Sequence, residues 1–171
     1  DTKVVVYLEH PTAEVEMDTD WRYVAGIIEG EGYVGIIKAS PRLRNHQSQY
    51  MPRVTVGMTD PEPVFFLAQH ANRATGIRTA RRGRKDVHMF NLQGSAVVMN
   101  FLRGCLPYLK SKRQRRRAEL VILLCENILE KPQVDQGRAR WTHPDAVAHR
   151  EELWRECKSL SSSQKPRRAK Y

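Results

Sequence analysis

The chain has 171 residues, 40% of them hydrophobic, which is long enough and apolar enough to bury one core. Its 29 Lys and Arg against 19 Asp and Glu give a net charge of +10, and such a surplus points first to a phosphate polymer as partner. No apolar run reaches the roughly 20 residues that cross a bilayer, and the opening DTKVVVYLEH lacks the basic start and cleavage site of a signal peptide.

Residues 1–17 read as an N-terminal extension, 18–160 as a single domain, and 161–171 as a basic low-complexity tail of disordered composition. Within the domain, DTDWRYVAGIIEG predicts a helix, with Asp18, Thr19 or Asp20 as N-cap and Gly30 or Gly32 as the stop. YVGIIKA has strand composition, and SPRLRNHQSQ is a polar, basic loop. YMPRVTVGM alternates, so Val54, Val56 and Met58 face one way and Arg53, Thr55 and Gly57 the other. TDPEPVFFLAQHANRATG predicts a second helix, capped by Thr59 or Asp60, with Pro61 in its first turn.

IRTAR and DVHMFNL flank the turn RGRKD as a second hairpin. SAVVMNFLRGCLPYL predicts a helix capped at Ser95 and closed or kinked by Pro107. SKRQRRRAELVILLCENILEK predicts a long helix, Gln133 to Arg140 a linker, and HPDAVAHREELWRECKSL a last amphipathic helix. Hairpins joined by helices predict an α+β fold, an antiparallel sheet with helices on one face. Cys105, Cys125 and Cys157 are far apart and form no C-x-x-C pair. That spacing speaks against a zinc ribbon or redox motif and suits reduced, packed thiols in an intracellular protein.

GEGYVG, residues 30–35, satisfies G-x-G-x-x-G. A dinucleotide loop needs a strand before the glycines and a helix after them, and here the order is reversed. The helix C-terminus is partially negative, and Glu31 adds charge where a phosphate would sit. GEGYVGIIK also resembles a kinase glycine-rich loop, but the chain has no H-R-D or D-F-G motif. What remains is a helix end that carries acid. Val24, Ile27 and Ile28 can face the core, while Ala25, Gly26 and Gly30 form a bare stripe that another backbone can approach. Glu29 and Glu31 stand at the unfavourable end of the helix dipole, a cost that a divalent cation offsets.

VAGIIEGEG, residues 24–32, resembles the signature of the LAGLIDADG homing endonucleases, with Glu for Asp at positions 29 and 31. The order helix, hairpin, helix, hairpin, helices also resembles that family from residue 20 to about residue 130. One copy of the motif resembles the homodimeric branch. The resemblance implies an αββαββα fold with a saddle-shaped antiparallel sheet. It implies a site-specific, intron-encoded endonuclease that makes double-strand breaks at a long pseudo-palindromic DNA target. Signature helices would meet side by side through Ala25, Gly26 and Gly30. Glu31 from each subunit would coordinate Mg²⁺, with the Gly30 carbonyl as a further ligand. Mn²⁺ would substitute, Ca²⁺ would bind without catalysis, and Glu29 would be structural. Shared metals would relieve the repulsion of two acids and lower the pKa of a bound water.

By the same resemblance Asp60 orients water, or else it caps the helix that follows. Lys112 matches a run that holds an active-site lysine, with Lys110 competing; the alternative for both is a solvated, phosphate-binding helix start. Contacts to DNA bases and phosphates would come from Lys38, Arg42, Arg44, Asn45, Gln47, Gln49, Arg53, Arg78, Arg82 and Arg84. An RNA maturase acting on intron RNA, or a non-cleaving DNA-binding regulator, would use the same fold and basic saddle. Acid at position 31 argues for retained cleavage. The expected setting is intracellular, a microbial cytoplasm or an organelle, with no membrane partner.

Overall fold

The computed structural model describes residues 21–40, 47–71, 78–82, 85–131, 134–136 and 139–162; of residues 78, 80–82, 85, 134–136, 139–141 and 161–162 it describes only the backbone. The extension, the expected caps at Asp18 to Asp20, Arg42, Arg44, Asn45, Arg84 and residues 163–171 lie outside them.

Helix α1 (Trp21–Glu31) passes at once into β1 (Gly32–Ala39), and β2 (Gln49–Met58) leads to α2 (Glu62–His70). A second hairpin, β3 (Arg78–Arg82) and β4 (Lys85–Gln93), leads to α3 (Ser95–Cys105). A 3₁₀ turn at Leu106–Tyr108 follows, and then α4 (Lys112–Glu130). The chain closes with β5 (Val134–Gln136), β6 (Ala139–Trp141) and α5 (Pro144–Ser162). The α+β class and the αββαββα order are as the sequence predicts. Three local differences stand out. The linker expected at Gln133 to Arg140 holds most of a small hairpin, β5 paired with β6. The cap of α3 is Gly94, at φ 95°, where a side chain would be strained, and not Ser95. Helix α5 runs through residues 161 and 162, which the sequence assigns to the tail.

The large sheet is antiparallel in the order β1-β2-β4-β3, two hairpins joined through their inner strands. Its alternation sorts the side chains. Val34, Val54, Val56, Phe90 and Leu92 are buried against the helices. Val34 opposes Val54 and Leu92 opposes it from the other side, so one row of branched residues crosses three strands. Val24 and Ile28 of α1, Leu67 of α2, Leu102 of α3 and Leu120 and Leu124 of α4 close the same core. Removing such side chains from water, at about 25 cal/mol per Å², is what holds helices to the sheet. Pro52 sits in β2 beside Ile36, beyond Arg53 where pairing with β4 begins, so its missing N–H breaks no bond to β4.

Candidate functional site

Helix α1 ends against the start of α4. Ser111 caps α4, its Oγ accepting from the Gln114 N–H at 3.3 Å. The Ser111 N–H, one of the donors that a helix start leaves unpaired, donates to Glu29 Oε1 at 2.5 Å. Gln114 reaches back, its Nε2 donating to the carbonyls of Ile28 and Gly32 at 3.3 Å each. The negative end of α1 is thus locked to the positive end of α4. Gly32 makes the turn possible: a Cβ there would lie 2.6 Å from the Ile28 oxygen. GEGYVG therefore closes a helix, as its flanking sequence indicates.

Glu31, the last residue of α1, is exposed, and no partner for it stands among the described residues. Gly26 and Gly30 are also exposed, and a Cβ added at either would meet nothing within 4 Å. The described residues give no reason for glycine at those two places. Ala25 differs from the expectation. It is 1% exposed, turned into the chain's own core with Val24 and Ile28, so it is not available to a second copy.

The sheet face away from the helices carries polar rows. Thr55 stands between Tyr33 and Asn91, and Arg53 between Gly35 and Gln93. Asn91 and Gln93 are exposed, and Arg53, Thr55 and Gln49 are partly so. The sequence does not single out Asn91, Gln93 or Thr55 as DNA contacts, although the alternation of DVHMFNL with Phe90 and Leu92 inward is a signal for Asn91. Arg78 and Arg82 lie on β3, the strand at the far edge, with only their backbone described.

Two expected DNA contacts are corrected. Lys38 shares the parity of Val34 and Ile36, which turns it to the helix side. Its Nζ pairs with Glu151 of α5 at 2.6 Å and stands 4.8 Å from the Trp154 ring centroid. Tyr50 also donates its hydroxyl to Glu151, and Arg155 donates at 2.9 Å. These donors, with Lys38 first, lower the Glu151 carboxyl to about 2. Gln47 is the second correction: both ends of its amide hold the Thr142 backbone, at 3.0 and 2.9 Å. Lys38 and Gln47 fasten α5 and its approach to the sheet.

Asp60 is exposed and accepts from the Glu62 N–H at 3.1 Å just before α2, but the N-cap of that helix is Pro61, without a side-chain cap bond, and neither Thr59 nor Asp60 as expected. Lys110 and Lys112 are both exposed, on either side of the Ser111 that Glu29 holds. Within the same run Arg115 donates to the Leu109 carbonyl at 2.9 Å and Arg116 pairs with Glu156 at 2.7 Å. Among the described residues no group of three or more His, Cys, Asp or Glu side chains is placed to hold a metal.

With this geometry the chain resembles solved DNA endonucleases. The homing endonuclease I-CvuI, in complex with the I-CreI target in 2 mM Mg, matches 85% of this chain and 83% of its own (TM-score 0.65, 16% identity). The archaeal intron-encoded homing endonuclease I-Vdi141I, complexed with DNA, matches 91% of each chain (TM-score 0.65, 14% identity). The LAGLIDADG homing endonuclease I-GzeII, in complex with its DNA target, matches 85% of this chain but 45% of its own (TM-score 0.58, 11% identity). No family model and no curated protein sequence matches the chain. The fold is that of the LAGLIDADG homing endonucleases. No described helix is long and apolar enough to cross a membrane.

Proposed function

We propose that the chain is a site-specific DNA endonuclease that works as a homodimer and hydrolyses one phosphodiester in each strand. The observation that carries this reading is Glu31: an exposed acid at a negative helix end, beside an open glycine face, on a fold shared with DNA-bound endonucleases. Two copies meeting through Gly26 and Gly30 would bring their Glu31 carboxylates together. One carboxylate and a backbone carbonyl from each chain suit Mg²⁺, which is held by few protein ligands with the rest supplied by water and phosphate oxygens. The residues that would hold it are Glu31 and the Gly30 carbonyl. When bound, the metal would supply Lewis acidity and a more acidic water.

Glu29 acts differently. It neutralises the start of α4 and so fixes the turn from which Glu31 projects. Lys112, or Lys110 across the cap, would stabilise charge on the phosphate. Arg53, Gln49, Thr55, Asn91 and Gln93 would face the DNA, the amides suited to adenine and Arg53 to guanine or phosphate. The surplus of basic residues would supply the salt-dependent part of affinity.

A library of randomised duplexes incubated with the protein and Mg²⁺ tests this. Discrete double-strand cuts are expected, lost in Glu31→Gln, with binding retained in Ca²⁺. Tight binding without cutting would leave a regulator. Preference for folded intron RNA over any duplex would leave a maturase.

A further inference from the structure

Arg117 lies one turn beyond Gln114 on α4 and is 7% exposed. A guanidinium removed from water normally meets a carboxylate or several carbonyls, because desolvating it alone costs several kcal/mol. Arg150, 4% exposed, does so: the Asn127 side chain and the Lys131 carbonyl each accept from it at 2.7 Å. Arg117 does not. Its Nε and Nη2 are buried and have no hydrogen-bond partner among the described residues. Those two atoms are the fork with which arginine grips a phosphate or carboxylate through two parallel bonds.

What Arg117 does meet is the ring of Tyr33, whose centroid lies 5.0 Å from Cζ. Tyr33 is 40% exposed and stands at the start of an edge strand. Its phenol occupies the space that a Cβ at position 35 would need. The last glycine of GEGYVG therefore makes room for that phenol. Tyr33 is two residues from Glu31, and Gln114 ties α4 to the Gly32 carbonyl between them. The unpaired fork thus belongs to the same corner as the acid-bearing turn.

We propose that Arg117 is a phosphate-binding residue of the DNA site and that Tyr33 is its movable cover. The duplex backbone displaces the phenol, and one phosphate takes the Nε–Nη2 fork. This rests on the DNA-endonuclease reading above and adds to it a residue and a motion. The competing use of these atoms is a water bridge from Arg117 to Gln114 Oε1, which is also buried with no partner among the described residues.

Duplexes that the protein selects from a random pool in Ca²⁺ provide the probe, and affinity is measured against salt. Arg117→Met is expected to keep or raise the melting temperature, since Met fills volume without a charge to desolvate. It should also lower the slope of log affinity against log salt by about 0.9 per subunit, one phosphate contact each. Unchanged slope and affinity overturn the proposal and leave the water bridge. Should that variant not fold, Arg117→Lys decides. It keeps the charge and loses the fork, so the slope should hold while affinity falls about tenfold; wild-type affinity overturns the proposal. A wild-type chain that selects no duplex defeats the DNA reading and this inference together. A wild type that binds, with both variants binding identically, defeats the inference alone.

Discussion

Glu29 and Glu31 stand two residues apart at the end of one helix, and the chain treats them in opposite ways. Glu29 accepts the N–H of Ser111 at 2.5 Å and so has the positive end of α4 as its counterpart. Glu31 is exposed and receives nothing comparable from the described residues. Any acid at a helix C-terminus works against the dipole. One of these two is offset inside the fold, and the function proposed above would give the other a metal ion. The glycines of the same helix divide likewise. Gly32 is demanded by the chain's own backbone, whereas Gly26 and Gly30 answer to nothing within 4 Å among the described residues. On the function proposed above, stability and activity would rest on neighbouring residues that can be changed separately.

Exchanging the two acids gives the largest contrast. Glu31→Gln should lower the cleavage rate at least about a hundredfold with no change in melting temperature. Glu29→Ala should cost about 1–2 kcal/mol of stability, read by denaturant titration. The comparison breaks if Glu31→Gln melts early or if Glu29→Ala is silent in stability.

The glycines come next. Gly26→Leu should leave the fold of each subunit intact and abolish dimers in sedimentation. Gly32→Ala should do the reverse: it forces a Cβ toward the Ile28 carbonyl and should cost about 1–3 kcal/mol.

A smaller effect concerns the side of the sheet that carries no proposed chemistry. Glu151 has its pKa lowered from 4.5 to about 2, chiefly by Lys38 and Tyr50. A lowered carboxyl adds stability that is complete above its unfolded pKa and is lost as pH falls through the folded one. The Glu151 contribution should therefore be whole above pH 4.5 and disappear toward pH 2. Thermal melts across that range should show a shallower acid limb in Glu151→Gln. The smallest effect is chemical: burial pushes Cys105 and Cys125 up to about 12. Both should resist alkylation until the chain unfolds.

Much of the fold is legible in the sequence, because it depends on local pattern. The direction of GEGYVG, helix first and strand after, excluded a nucleotide loop, and the alternation of YMPRVTVGM put Val54 and Val56 inward. What was not legible depends on distant partners. Nothing near Lys38 in sequence shows that Glu151 waits on α5, nor does anything near Gln47 show that the Thr142 backbone takes its amide. Ala25 was misplaced for a finer reason. Small size marks a residue that can be approached, but helical rotation decides from which side, and Ala25 turns with Val24 toward the core. The β5–β6 hairpin escaped because strands of three residues carry too little alternation to read. Arg117 escaped because a run of basic residues at a helix start looks uniformly solvated.

The central claim is that two copies of the chain present their Glu31 residues to one duplex. Native mass spectrometry of the complex with a selected duplex, formed in Ca²⁺, tests it most directly. The mass should be that of two chains on one duplex, falling to one or none with Gly26→Leu. A wild-type complex holding a single chain that still cuts both strands when Mg²⁺ is supplied would contradict it.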